Sequence, residues 1–173
     1  TFNAGASVLV LDATDGDATF TGDGYIFNNV IFQSTSTVAR TWTLGGGTIT
    51  FNGNFQLKAD ESGNLIVNAI TNNPDLDIGG SVDYTGTGAG TESISMGDGT
   101  WTVGGNIDFS DGTVDASTST FVLNGTSTQT LTMDGNGLNV LQITNSSSDG
   151  VYFADNLSFS TFTASTGNTH LYF

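Results

Sequence analysis

The chain is expected to fold as an all-β domain, a parallel β-helix or β-solenoid, and three observations carry that expectation. Apolar residues alternate with polar ones over short runs, the period-two signature of half-buried strands. Gly, Asn, Asp or Ser fills almost every gap between those runs. Short strings also recur: Thr41-Trp42-Thr43-Leu44-Gly45-Gly46 returns as Thr100-Trp101-Thr102-Val103-Gly104-Gly105. Repeated supersecondary units bury their apolar faces by stacking on one another. A β-sandwich would also show short strands and frequent turns; the internal copies argue against it.

Taken in order, the in-phase apolar pairs place the strands. Trp42 and Leu44 share a face, then Ile49 and Phe51, Phe55 and Leu57, Leu65 and Val67, Leu76 and Ile78, and Val82 and Tyr84. Ile94 and Met96 follow, then Trp101 and Val103, Ile107 and Phe109, Phe121 and Leu123, and Leu131 and Met133. Leu141 and Ile143, Val151 and Phe153, and Leu157 and Phe159 complete the series. Helical periodicity is absent. One domain over 1–173 is expected, with six to eight coils at roughly 20–30 residues each.

A second motif runs inside the first. Gly46-Gly47-Thr48-Ile49-Thr50-Phe51 resembles Gly79-Gly80-Ser81-Val82-Asp83-Tyr84 and Gly104-Gly105-Asn106-Ile107-Asp108-Phe109. Asp77-Ile78-Gly79-Gly80 reads as a degraded third copy of the Trp string. Glycine pairs let the backbone turn with positive φ or approach the next coil closely. A larger echo links Gly135-Asn136-Gly137-Leu138-Asn139-Val140-Leu141 with Gly22 to Ile31, as about one and a half copies of a longer unit.

Composition sets the boundaries. The chain has 173 residues, 36 % hydrophobic with 12 Phe, enough for a core. Seventeen acids face only Arg40 and Lys58, a formal net charge of −15. That field repels nucleic acid and anionic lipid and keeps a strand-rich chain soluble. Arg40 and Lys58 are also the only sites for a trypsin-like protease. The chain has no Cys, which a repeat stack tolerates in either redox compartment. It has no apolar run of 18 residues, so no spanning helix is expected. No leader segment is visible, which fits a mature or an excised form. Three sequons occur, at Asn124, Asn145 and Asn156.

The string from Thr1-Phe2-Asn3 through Gly22-Asp23-Gly24-Tyr25-Ile26-Phe27-Asn28-Asn29 and Thr41-Trp42-Thr43-Leu44-Gly45-Gly46 to Phe51-Asn52-Gly53-Asn54-Phe55 carries a resemblance. It resembles the β-solenoid repeat regions of secreted surface proteins, the filamentous-haemagglutinin-like adhesins and cell-surface stalks. The resemblance rests on repeat style and covers most of the chain. It implies a right-handed parallel β-helix, an extracellular or cell-surface setting, and a structural or adhesive role. It brings no catalytic residues with it.

Both ends read as apolar strands: Thr1, Phe2, Val8, Leu9 and Val10 at one, and His170, Leu171, Tyr172 and Phe173 at the other. A solenoid normally closes its end coils with polar caps, and an uncapped coil offers a sheet edge to another chain. Two readings follow. Identical subunits stack head-to-tail or exchange strands into a fibre, or the chain is a segment of a longer protein.

Candidate chemistry is sparse. Asp12, Asp15, Asp17 and Asp23 form the densest acidic stretch and supply oxygens of the kind calcium takes. The spacing misses the EF-hand form, and solvated turn acids are the alternative. Asp83 and Asp108 hold matching outward positions in the Gly-Gly repeat. On adjacent parallel strands they lie about 5 Å apart, where like charges call for a proton or a bridging cation. They are the one place for carboxylate-pair hydrolysis of a polysaccharide, although no basic residue lies near to hold an anionic sugar. His170, the only histidine, falls in an apolar stretch and is read as structural. Trp42 and Trp101 are in phase with Leu44 and Val103 and read as core rather than as sugar-stacking rings. The Thr pairs at 41 and 43, 126 and 128, and 161 and 163 are too scattered for an ordered hydroxyl array. The reading is therefore a non-enzymatic fibre or stalk subunit without cofactor other than calcium. A glycan-binding adhesin is the alternative, and a polysaccharide-active enzyme ranks below both.

Overall fold

The computed structural model describes residues 5–165 and 171–172. Within them the chain winds as a parallel β-solenoid of about seven turns, with no helix. Each full coil lays one strand on each of three faces. β1 (Val8–Asp12), β2 (Ala18–Phe20) and β3 (Ile26–Phe27) form the first. β4 (Asn29–Ser34), β5 (Arg40–Leu44) and β6 (Thr48–Phe51) form the second, and β7 (Phe55–Ala59), β8 (Leu65–Asn68) and β9 (Asp75–Ile78) the third. β10 (Val82–Tyr84), β11 (Glu92–Ser95) and β12 (Thr100–Val103) follow, then β13 (Ile107–Asp108), β14 (Gly112–Asp115) and β15 (Thr120–Leu123). The later coils have two strands: β16 (Gln129–Thr132) with β17 (Gly137–Ile143), then β18 (Val151–Phe153) with β19 (Ser158–Ala164). β20 (Leu171–Tyr172) closes the order.

Three sheets result. One runs β1-β4-β7-β10-β13-β16-β18-β20, the second β14-β11-β8-β5-β2, and the third β19-β17-β15-β12-β9-β6-β3. Every ladder is parallel, for example Val82 with Phe55 on one side and Ile107 on the other. That excludes the antiparallel sandwich.

Alternation along each strand decides what fills the interior. Val30, Phe55, Val82, Ile107 and Leu131 stack in one buried column. Leu76, Trp101, Phe121 and Leu141 form another. Aromatic rings link coils across the core, with centroids 5.6 Å apart for Phe32–Phe55 and 6.1 Å for Phe55–Trp101. Such stacked rows hold the coils at a common spacing, because each buried side chain meets its counterpart one strand away.

Polar side chains fix the register at the corner before the first sheet. Asn29 Oδ1 accepts the Asn54 N–H at 2.8 Å, and Asn54 Oδ1 accepts the Ser81 N–H at 2.9 Å. Ser81 Oγ accepts the Asn106 N–H at 3.0 Å, and Asn106 Oδ1 accepts the Thr130 N–H at 2.9 Å. The steps span 25, 27, 25 and 24 residues, so coil length varies while the corner stays constant. Gly80 and Gly105 sit here by close approach: a Cβ on Gly105 would fall 2.5 Å from the Gly80 carbonyl carbon.

The repeats map onto this frame differently from the reading of the strings. Thr102-Val103-Gly104-Gly105 and Asp77-Ile78-Gly79-Gly80 are true neighbours one coil apart in the third sheet. Trp42 lies in the second sheet beside Val67, and Trp101 lies in the third beside Leu76, so the Trp echo joins different faces. Gly46 to Phe51 leads into the third sheet, where Thr50 pairs with Asp77, whereas Gly79 to Tyr84 and Gly104 to Phe109 lead into the first. The counterpart of Asp83 in the preceding coil is Gln56, not Thr50. The longer echo fails too: Gly137–Ile143 is one strand, while 22–31 turns the corner between β3 and β4.

The second sheet stops at β14 because the side chain of Asn136 takes the place of a further strand. Its Oδ1 accepts the Val114 N–H at 2.9 Å, and its Nδ2 donates to the carbonyls of Phe109, Gly112 and Met133. The turn around it is held in turn by Asp155 of the next coil, which accepts the N–H groups of Met133 and Asp134.

Candidate functional site

The Asp83–Asp108 pair forms as the sequence predicts. The two residues are directly paired on β10 and β13, in an outward column that runs Ile31, Gln56, Asp83, Asp108, Thr132. Gln56 Nε2 donates to Asp83 Oδ2 at 3.2 Å, while Asp83 Oδ1 is shielded from solvent and has no hydrogen-bond partner. Asp108 is exposed and accepts the Ser110 N–H at 3.0 Å and its hydroxyl at 2.6 Å. Burial pushes the Asp83 carboxyl above its ordinary value; the Gln56 hydrogen bond opposes that and the Asp108 charge adds to it. Paired carboxyls are the groups that acid–base hydrolysis of a glycoside employs. The groups flanking it in this column are an amide and a hydroxyl, and neither supplies a ring face or a cation for a sugar.

The amino-terminal acids do not converge. Asp12 accepts the Thr35 N–H at 3.2 Å and its hydroxyl at 2.9 Å, and Asp17 accepts the Thr41 N–H at 2.8 Å. They clip one coil to the next. Asp15 is exposed, and Asp23 lies over Gly47, whose φ of 82° marks the turn there. Among the described residues no group of three or more His, Cys, Asp or Glu side chains is arranged to hold a metal ion.

Trp42 and Trp101 are both buried, their indole N–H groups donating to the Gln33 and Met96 carbonyls. The outer face of the third sheet gathers Thr48, Thr50, Thr100, Thr102 and Thr120 from strings that look scattered in sequence, with Asp75 and Asp77 set among them. A shallow groove of about 500 Å³ runs over Asp75, Asp77, Thr100 and Thr102.

Of the residues expected at the ends, Val8 and Val10 point outward on β1 and are exposed, while Leu9 points inward over Val30. Leu171 and Tyr172 pair with Val151 and Tyr152 as β20. Thr1, Phe2, His170 and Phe173 lie outside the described residues. At the carboxyl-terminal end an open cleft of about 550 Å³ is lined by Phe153, Asp155, Leu157, Phe159 and Phe162 among others. Phe159 continues the column of Leu138, and Phe162 that of Leu141. Leu138 and Leu141 are buried, yet Phe159 is 44 % and Phe162 36 % exposed.

Two interior polar features are not in the sequence reading. Glu92 opens β11 with its side chain turned into the core, 3 % exposed. Its phase with Ile94 and Met96 was the available signal. Gln129 and Asn145 are buried at the corner before the first sheet: Gln129 Nε2 donates to the carbonyls of Val103 and Gly105, and its Oε1 accepts from Gly125 N–H and Asn145 Nδ2. The Asn145 sequon therefore lies inside the fold, whereas Asn124 and Asn156 are exposed.

No family model matches the chain, and no curated protein or solved structure matches it either.

Proposed function

We propose that the protein is structural: a rigid extracellular or surface-exposed rod whose end coils are its working surfaces, stacking head-to-tail on copies of itself. The observation that carries this reading is the pair Phe159 and Phe162. They extend two core columns by one more coil and stand 44 % and 36 % exposed where the next coil would cover them. At the other end Leu9 and Leu11, which extend the columns of Val30 and Phe32, are only partly buried. Apolar columns that reach the first and last described coils, with parallel edges beside them, suit continuation by a further parallel coil, and one supplied by a second copy would make a heterologous contact that repeats without closing. The large negative charge acts against sideways clumping and leaves the ends as the favoured contact.

Sedimentation velocity on the whole chain tests it. Mass rising with concentration over the micromolar range, and a return to single copies in Phe162→Asp, supports the reading. A wild-type chain that stays a single copy throughout removes it.

A glycan-binding role is favoured by a separate observation. Tyr152 and Tyr172 are directly paired on the outer face of the first sheet, 46 % and 47 % exposed, and form the short aromatic row that a sugar ring stacks on. Binding on a glycan array that Tyr152→Ala abolishes supports that role; an array with no signal counts against it.

A further inference from the structure

Among the described residues, Glu92 is the only carboxylate side chain in the buried core. Its placement has a backbone cause. β10 leaves the first sheet after Tyr84, so Ala59, at the end of β7, loses the strand that would take its N–H. Glu92 Oε1 takes that N–H instead, at 2.9 Å, and the N–H dipoles of Gly86 and of Glu92 itself also favour the charged carboxylate. The chain between Tyr84 and Glu92 reads Thr85-Gly86-Thr87-Gly88-Ala89-Gly90-Thr91. Gly86 lies against the carboxylate so closely that any Cβ there would overlap it. The corner rests on the coil beneath through Gly88 N–H to the Ala59 carbonyl, 3.0 Å, and Gly90 N–H to the Glu61 carbonyl, 2.8 Å.

Among the described residues no cation faces this carboxyl. On β7, Lys58 is held by Asp60 at 2.7 Å. Arg40 shares its register on β5, but its guanidinium donates to the Thr14 carbonyl. From the β13–β14 connection Asp111 adds a second negative charge. From β10 the Tyr84 phenol donates to the Thr113 carbonyl. The remaining acids of the neighbouring β7 turn are Asp60 and Glu61. A charge buried there meets three N–H dipoles and no counter-ion, and burying it costs free energy that only water would return. Water reaches it when the corner lifts, and a glycine-rich corner holds a native form weakly against its open alternatives.

We propose that Glu92 is a proton-operated latch on the 85–91 corner, closed when the carboxyl is neutral and loosened when it ionises in place. Burial raises this carboxyl above its ordinary range, the three N–H groups oppose that, and Asp111 adds to it. Linkage then gives the sign. A group that binds its proton more tightly in the closed form holds the corner below its ordinary pKa, and that hold is lost as pH rises through the closed-form value.

The chain's glutamates are Glu61 and Glu92, and Glu61 is exposed. Selective 13C labelling of glutamate carboxyls therefore gives one reporter and one internal reference. Across about pH 3 to about pH 8, Glu92 should titrate above the ordinary carboxylate range. The 85–91 amides, after division by intrinsic exchange, should exchange faster as pH rises, about tenfold for each unit separating the closed and open values. Glu92→Gln should flatten that rise. Glu92 titrating within the ordinary carboxylate range, or parallel exchange profiles in wild type and Glu92→Gln, would overturn the latch. Should the variant fail to fold, the wild-type carboxyl titration decides alone.

Discussion

Asp83 sits directly opposite Asp108 on the neighbouring parallel strand, with one oxygen on Gln56 and the other shielded and unpartnered. Like charges placed opposite each other in a sheet destabilise by about 0.2–1 kcal/mol. Asp108→Asn keeps an acceptor for Ser110 and removes the repulsion, so it should stabilise the fold by an amount in that range near neutral pH. Asp83 holds its proton more tightly when folded, so its contribution is present below the ordinary carboxylate range and lost as pH rises through the folded value. Urea midpoints should therefore separate wild type from Asp108→Asn near pH 7 and bring them together near pH 4. A gap that widens on acidification contradicts this sign.

The corner ladder is a second point of leverage. Asn54 accepts the Ser81 N–H and donates its own N–H to Asn29. Asn54→Ala removes one rung, and water takes part of the loss because the site is exposed, so destabilisation of about 1 kcal/mol is expected. Asn54→Asp keeps the acceptor and should recover most of it. Equal losses in the two variants, measured by chemical denaturation, would show that the rung does not act through its hydrogen bond.

Gln129 serves four partners in a buried corner, so Gln129→Leu leaves donors and acceptors unmet at about 1–3 kcal/mol each. A drop of several degrees in melting temperature is the expected outcome. Asn145 spends its amide on Ser127 and Gln129, so folded protein from a glycosylating host should carry no glycan there. Mass spectrometry of the purified, folded fraction checks this, and glycan on Asn145 in that fraction contradicts the buried corner.

Trypsin offers an inexpensive probe of the ladders. Arg40 starts β5, its N–H bonded to the Asn64 carbonyl, and Lys58 lies within β7, paired with Gln33 of β4. Cleavage after either needs the local sheet to open. The native chain should resist trypsin for hours and yield cuts after both residues once denatured. Rapid native cleavage after Arg40 would mean that β5 is not held as described.

The strand columns were legible in the sequence because alternation alone sets which side chains face inward. Leu76, Trp101 and Phe121 appear on the expected faces for that reason. The Asp83–Asp108 register was legible through the Gly-Gly spacing. Three features were not. The Trp echo misled because a strand-and-turn string fits any face of the solenoid, and only pairing shows that Trp42 and Trp101 lie in different sheets. Glu92 is masked in the sequence because a charge at a strand start reads as a turn residue, although its phase matches Ile94. The end of the second sheet depends on one side chain, Asn136, three of whose hydrogen bonds reach back 22 to 27 residues.

Electron microscopy of the purified protein at micromolar concentration tests the stacking account most directly. Seven turns at about 4.8 Å per strand spacing give roughly 34 Å of rod per copy. The account predicts unbranched filaments of constant width with that axial repeat, lost in Phe162→Asp. Isolated particles of single-copy length at every concentration would contradict it.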